Sequence, residues 1–302
     1  MRVRVWGARG SVPVSAQEVG AYGGNTSCVE VKGQSGDLII FDAGSGLFPL
    51  GQNIVQRPNP PKRIHIVISH LHWDHILGLP FFAPSFQRQF TVNVYSPKGE
   101  TAVGADLLRW QMHFSGLAET VKDNSLIHYY EISENQCLEL GNWSLRSLRL
   151  NHPSVDYGYR LEGDGKTLCY CTDVEPGYVR LLKPGLDAEK VRSGRISVTE
   201  AITDERDCAL LQFISTADLC IQDCMFDEEA YANKKGWGHS PYNFAVLMAY
   251  LAKVKRLLMF HFDPECEDSV LLSRQNYAQM LVCQYREELE VLSAREGLEL
   301  EV

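Results

Sequence analysis

Four side chains that can bind a metal fall within six positions in Ser69-His70-Leu71-His72-Trp73-Asp74-His75, directly after the run Ile64-His65-Ile66-Val67-Ile68. That run is apolar almost throughout, so it reads as a strand buried on both faces. Three imidazoles and a carboxylate crowded at the end of such a strand would be costly without a cation to hold them. If the backbone stays extended, His70 and His72 project to the same side, because strand side chains alternate. A turn beginning near Trp73 would swing Asp74 and His75 toward a second ion beside the first. Imidazole and carboxylate without thiolate suit zinc, manganese or iron and leave open positions for water and substrate.

The rest of the chain brings more such residues to strand ends. Residues 2–6 read as a strand running into Gly7-Ala8-Arg9-Gly10, and 27–32 and 37–41 as a hairpin around Gly33-Gln34-Ser35-Gly36. Asp42-Ala43-Gly44-Ser45-Gly46 leads to a helix near 47–55. Further strands are expected at 91–95, 143–150 (ending at Asn151-His152) and 256–260 (ending at His261), with a helix at 102–114. A second hairpin, 157–162 with 167–171 around Gly163-Asp164-Gly165, delivers Asp173 at its tip. Ser240-Pro241 has the cap-then-proline form of a helix start, followed by Phe244, Leu247, Met248 and Leu251 at helical spacing. Residues 269–292 read as a closing helix that packs on the body or against a second subunit, which leaves a homodimer open. Residues 186–210 are charged and weakly periodic and read as an inserted lobe or as two surface helices. His65, His113 and His128 stand alone and read as ordinary packed histidines.

Composition excludes several functions. With 38 acidic and 29 basic side chains among 302 residues the net charge is −9, which disfavours nonspecific nucleic-acid binding. Nine scattered cysteines, never spaced CxxC, argue against a disulfide framework and a thiolate zinc site. No apolar run approaches the roughly 18 residues of a membrane helix. The opening segment reads as a strand rather than a secretory leader, so a cytoplasmic protein is expected.

The HxHxDH run, with Trp6-Gly7-Ala8-Arg9-Gly10-Ser11, Gly23-Gly24-Asn25-Thr26-Ser27-Cys28 and Phe41-Asp42-Ala43-Gly44, resembles the metallo-β-lactamase-fold hydrolases. It is most similar to their branch of phosphodiesterases and tRNA 3′-processing endonucleases. The resemblance implies an α/β fold, the αββα four-layer sandwich, as a single domain over 1–302. It implies two divalent metal ions, with zinc favoured. His70, His72 and His152 would bind the first, Asp74, His75 and His261 the second, and Asp173 would bridge them. Asp42 would orient histidines by hydrogen bonding.

Gly236-Trp237-Gly238-His239-Ser240-Pro241 resembles the His-Ser-Thr motif of that branch, with Pro241 in place of threonine. It would present His239 and free backbone N–H groups to a phosphate, with Asp223 orienting His239. Asp74 and His239 are then the expected catalytic residues, acting with a hydroxide that bridges the ions. A small phosphodiester, a cyclic nucleotide or cyclic ribose phosphate, is the preferred substrate. His152 and Asp173 stand only 21 positions apart, whereas the bacterial tRNA-processing relatives insert a long substrate arm between those motifs. An RNA 3′-processing endonuclease is the main alternative. A lactone or thioester hydrolase and a non-catalytic metal-binding sensor rank lower.

Overall fold

Short apolar runs, the central ones buried on both faces, with tight turns between, build two sheets that hold seven strands each among the described residues. The computed structural model describes residues 1–34, 36–99, 104–114, 126–177, 193, 202, 204–285 and 288–302. The first sheet contains β1 (Arg2–Gly7), β2 (Cys28–Lys32), β3 (Leu38–Phe41), β4 (Arg63–Val67), β5 (Thr91–Pro97), β6 (Leu126–Ile132) and β14 (Glu299–Glu301). Their spatial order is β14-β1-β2-β3-β4-β5-β6. The second contains β7 (Cys137–Leu140), β8 (Trp143–Arg149), β9 (Tyr157–Gly163), β10 (Lys166–Cys171), β11 (Leu219–Asp223), β12 (Arg256–Phe260) and β13 (Glu290–Ser293). Their order is β13-β12-β11-β10-β9-β8-β7. Both sheets are mixed: β1 to β3 and β7 to β10 pair antiparallel, while β3 to β6 and β10 to β13 pair parallel.

Period-two patterning explains the layers. In β3, Ile39 and Phe41 enter the core shared with the second sheet, and Phe41 stacks on Tyr170 at 5.0 Å between ring centroids. Leu38 and Ile40 face the other way, into a core with Leu47, Leu50 and Ile54 of the helix Leu47–Gln56 and Leu108 of the helix Gly104–Phe114. The helix Tyr242–Leu251 covers β11 and β12, and the helix Asp268–Tyr285 covers β13. Helices thus lie outside two face-to-face sheets, the four-layer αββα sandwich. No described helix is long and apolar enough to cross a membrane.

The closing helix stops at Tyr285, short of the expected 292, and residues 290–293 pair with β12 as strand β13. Leu289, Val291 and Ser293 are buried in alternation, a period-two pattern that a helix cannot satisfy. The helix packs on the body: Arg274 donates to the Met225 carbonyl at 3.0 Å, and Tyr242 meets Tyr277 edge to face. Most of 186–210 lies outside the described residues. Its end starts the helix Glu205–Phe213, capped by the Asp204 carboxylate, which accepts from the N–H groups of Arg206 and Asp207. His65 is buried with its Nδ1 3.2 Å from the Tyr95 hydroxyl, and the side chain of His113 lies outside the described residues.

Candidate metal centre

β4 ends at Val67, and the chain bends at Ser69 and again at His72 before the short helix Trp73–Ile76 begins. The start of this helix sorts the ligands. His70 and His72 precede it with ring centroids 4.4 Å apart, while Asp74 and His75 turn into the helix. The N–H of Tyr157 and the hydroxyl of Tyr159 bind the carbonyls of Ser69 and Ile68, which fastens the loop to the second sheet. His152 follows β8, Asp173 follows β10, and His261 follows β12, so the ends of parallel and antiparallel strands gather at one edge. Asp42, Asp173 and His261 all have positive φ, near 59°, 52° and 58°. Such backbone is uncommon outside glycine and clusters where a fold holds side chains in place.

All seven expected ligands are brought together, in two groups that share Asp173. Ligand atoms of His70, His72, His152 and Asp173 lie within 4.8 Å of one another, as do those of Asp74, His75, Asp173 and His261. The Asp173 carboxylate reaches both: Oδ2 is 3.5 Å from His70 Nε2, and Oδ1 is 3.1 Å from His261 Nε2. In the second group, Asp74 Oδ2 is 3.1 Å from both His75 Nε2 and His261 Nε2, and these two nitrogens are 3.3 Å apart.

Three observations bear on whether this set fits cations. His70 Nε2 and His152 Nε2 are buried with no hydrogen-bond partner, an arrangement that costs free energy unless something binds the lone pairs. Second, the outer nitrogens are engaged. His152 Nδ1 donates to the Gly238 carbonyl at 3.1 Å and His75 Nδ1 to Asp42 at 2.7 Å, which leaves both Nε2 atoms as lone-pair donors. Third, burial pushes His70, His72 and His152 below the ordinary imidazole range and so favours the neutral, metal-binding form.

The carboxylates are held ionised. Burial opposes charge on Asp173, but His261, His75 and His70 outweigh it and keep the carboxyl well below its usual range. Asp74 is likewise lowered, burial being outweighed by His75 and His261. His75 is raised well above the ordinary value, because Asp74, Asp173 and Asp42 overcome its burial; a proton and a cation therefore compete for it.

His239 stands beside the second group, its Nδ1 2.9 Å from Asp223 Oδ2, and its ring lies 5.0 Å from that of His261. Burial opposes its charge, but Asp223, then Asp173 and Asp74, raise it to about 9. Several of the N–H groups expected to be free around it are engaged. Gly236 and Gly238 donate to the two oxygens of Glu175 at 2.7 and 2.9 Å, and Tyr242 donates to the Phe226 carbonyl. Ser240 does not cap the helix: its hydroxyl donates to the Val174 carbonyl, and Pro241 takes the cap position.

Three contributors were not singled out from the sequence. Glu175 fixes the glycine run and also accepts from the Tyr231 hydroxyl. The N–H of Ser11 donates to Asp74 Oδ2 at 2.7 Å. Asp156 is fully buried, 3.5 Å from His70 Nδ1, and burial followed by the nearby Asp173 pushes its carboxyl well above the usual range. A lone Asp or Glu beside a strand end gives no spacing signal that separates such a role from a turn.

The beta-lactamase superfamily domain matches residues 38–188, half of the chain. Ribonuclease Z of Thermococcus kodakarensis is 30% identical over 251 residues, 75% of each chain. Two solved structures share the fold across nearly all of both chains. Human tRNase Z, short form, covers 100% of this chain and 99% of its own, with a TM-score of 0.64 and 19% identity. A diphosphatase of the PhnP family covers 100% and 97%, with a TM-score of 0.63 and 17% identity. The chain belongs to the beta-lactamase superfamily, in its metallo-β-lactamase fold. Within that superfamily it is a metal-dependent hydrolase of the phosphodiesterase class.

Proposed function

We propose that His70, His72, His152 and Asp173 hold one divalent cation and Asp74, His75, Asp173 and His261 a second, and that the protein hydrolyses a small phosphodiester, a cyclic nucleotide or cyclic ribose phosphate. The observation that carries this reading is the sharing of Asp173 between two compact ligand groups with the His239–Asp223 pair alongside. Zinc suits the nitrogen and oxygen donors best, with manganese and iron as alternatives. Two such ions would neutralise charge on the attacking and leaving oxygens and acidify water near neutral pH.

The side chains of this protein do the rest. Asp74, steadied by the Ser11 N–H, orients the nucleophile. His239, aligned by Asp223, binds a phosphoryl oxygen or, when protonated, passes the Nε2 proton to the leaving alkoxide. A small substrate is supported by the hairpin β9–β10, which uses almost all the chain between His152 and Asp173 in the core sheet, and by the net charge of −9. The cytoplasm suits nine free cysteines.

The second reading, RNA 3′-end processing, is favoured by the 30% identity to a ribonuclease Z. Assays on the zinc-, manganese- or iron-loaded protein separate the two. Turnover of bis(p-nitrophenyl) phosphate and of 2′,3′- or 3′,5′-cyclic mononucleotides, with pre-tRNA left intact, is the expected result. Efficient endonucleolytic cleavage of pre-tRNA with no cyclic-diester turnover would transfer the assignment to the second reading.

A further inference from the structure

The two most exposed large apolar side chains among the described residues are Trp73 and Trp237, each 61% exposed. Both lie inside the motifs of the metal centre. Trp73 separates His72 from Asp74, and Trp237 stands two residues before His239. An indole contributes to folding chiefly through buried area, so the fold gains little from either ring where it stands. We propose that Trp73 and Trp237 stack the heteroaromatic base of the substrate, so that base-bearing nucleotide diesters are preferred over sugar phosphates without a base. This rests on the phosphodiesterase reading of the adjacent centre.

The segment carrying Trp237 is fixed. Gly236 and Gly238 both donate to Glu175, and the Gly238 carbonyl accepts from His152 Nδ1 at 3.1 Å. A Cβ on Gly238 would lie 2.2 Å from that same nitrogen, and φ there is +91°. Trp237 is therefore presented by backbone pressed against His152. Trp73 begins the helix that His72 precedes, and its carbonyl accepts from the Leu77 N–H. The rings of His72 and His152 are 5.0 Å apart. Both tryptophans are thus carried by backbone that adjoins a histidine of the first ligand group or packs against one.

The surroundings favour a nucleotide over a plain apolar ligand. Lys234 Nζ stands 5.5 Å from the Trp237 centroid and 4.8 Å from that of Phe226, and is paired with Asp263 at 3.1 Å. Trp237 thus carries a cation over its ring and stays largely exposed to a flat partner. A rigid indole with two torsions loses little entropy when it binds such a ring. Base stacking on an aromatic side chain changes affinity by roughly 5- to 150-fold per base.

The test uses the full-length metal-loaded protein and two diesters with the same reacting group. These are 2′,3′-cyclic AMP and methyl riboside 2′,3′-cyclic phosphate, which lacks the base. The readout is the ratio of their kcat/KM values. The ratio is expected to fall roughly 5- to 150-fold in Trp237→Leu and in Trp73→Leu, and to recover in Trp237→Phe and Trp73→Phe. A ratio unchanged in both leucine variants, or loss shared equally by both diesters, would overturn the proposal. If the wild type cleaves neither diester, the reaction assigned above fails on its own, and stacking is read by fluorescence. Quenching of tryptophan emission by AMP but not by ribose 5-phosphate, abolished in Trp237→Leu, would uphold the base platform; absence of quenching would reject it.

Discussion

Replacing Asp42 by asparagine tests how the centre is held, because both oxygens of this carboxylate accept from buried donors. Asp42 is fully buried; Oδ1 accepts from the Ser69 N–H at 2.7 Å, and Oδ2 accepts from His75 Nδ1 and the Tyr170 hydroxyl at 2.7 Å and from the Ser69 hydroxyl at 2.9 Å. An asparagine side chain has one oxygen and one NH2 group, and neither orientation works. With its oxygen in the Oδ2 place, the NH2 opposes the Ser69 N–H and leaves buried donors unmet, at about 1–3 kcal/mol. Turned over, the NH2 faces His75 Nδ1 and drives the imidazole to the other tautomer, with a proton on the Nε2 that faces the second ligand group. The loss of such an orienting partner lowers metal affinity roughly 10- to 100-fold. Chelator competition with stoichiometry by elemental analysis, alongside the melting temperature of the chelated protein, measures both effects. Two ions bound within about twofold of wild-type affinity, at unchanged stability of the metal-free protein, would refute the reasoning, since tenfold corresponds to about 1.4 kcal/mol.

Three other substitutions separate catalysis, metal binding and folding. His239→Ala should lower kcat on a cyclic diester by roughly 10²- to 10⁴-fold while both ions remain; loss of metal by elemental analysis would show that His239 is a ligand instead. Gly238→Ala sets a methyl group against the His152 ring and forces alanine to a φ of +91°, which costs about 1–2 kcal/mol from the backbone alone. Displacement of His152 should halve the metal content, and two ions per chain in this variant would contradict that. Asp207, buried and bonded to the Gly177 N–H, is pushed up to about 6 by its burial. Between the ordinary value near 3.8 and 6 the native state holds a proton that the unfolded chain has lost, so stability falls as pH rises through that window, by at most about 3 kcal/mol. Asp207→Asn should flatten the dependence of melting temperature on pH between 4 and 6; an unaltered slope would show that Asp207 does not cause it.

Much of the centre is legible in the chain because its residues sit where strands end. His70, His152, Asp173 and His261 each follow an apolar or alternating run, and those runs form β4, β8, β10 and β12. Proximity across some 190 positions is another matter. Nothing local says that β4 and β12 end at the same edge of different sheets, and only the HxHxDH resemblance linked their histidines. The N–H groups of the 236–238 run show the opposite failure. Two glycines before a helix start suggest an anion cradle, yet Glu175, more than 60 residues earlier in the chain, occupies those donors. Edge strands were the least legible. In β7 and β14 alternate residues remain largely exposed, and in 269–292 only the charged run Arg286-Glu287-Glu288 separates the helix from the strand β13, with no glycine or proline to mark the change.

Anomalous diffraction at the zinc edge from crystals of the metal-loaded protein addresses the central claim most directly. Two peaks per chain are expected, one enclosed by His70, His72 and His152, the other by Asp74, His75 and His261, with Asp173 touching both. A single peak elsewhere on the surface, or two peaks with Asp173 bonded to neither, would contradict it.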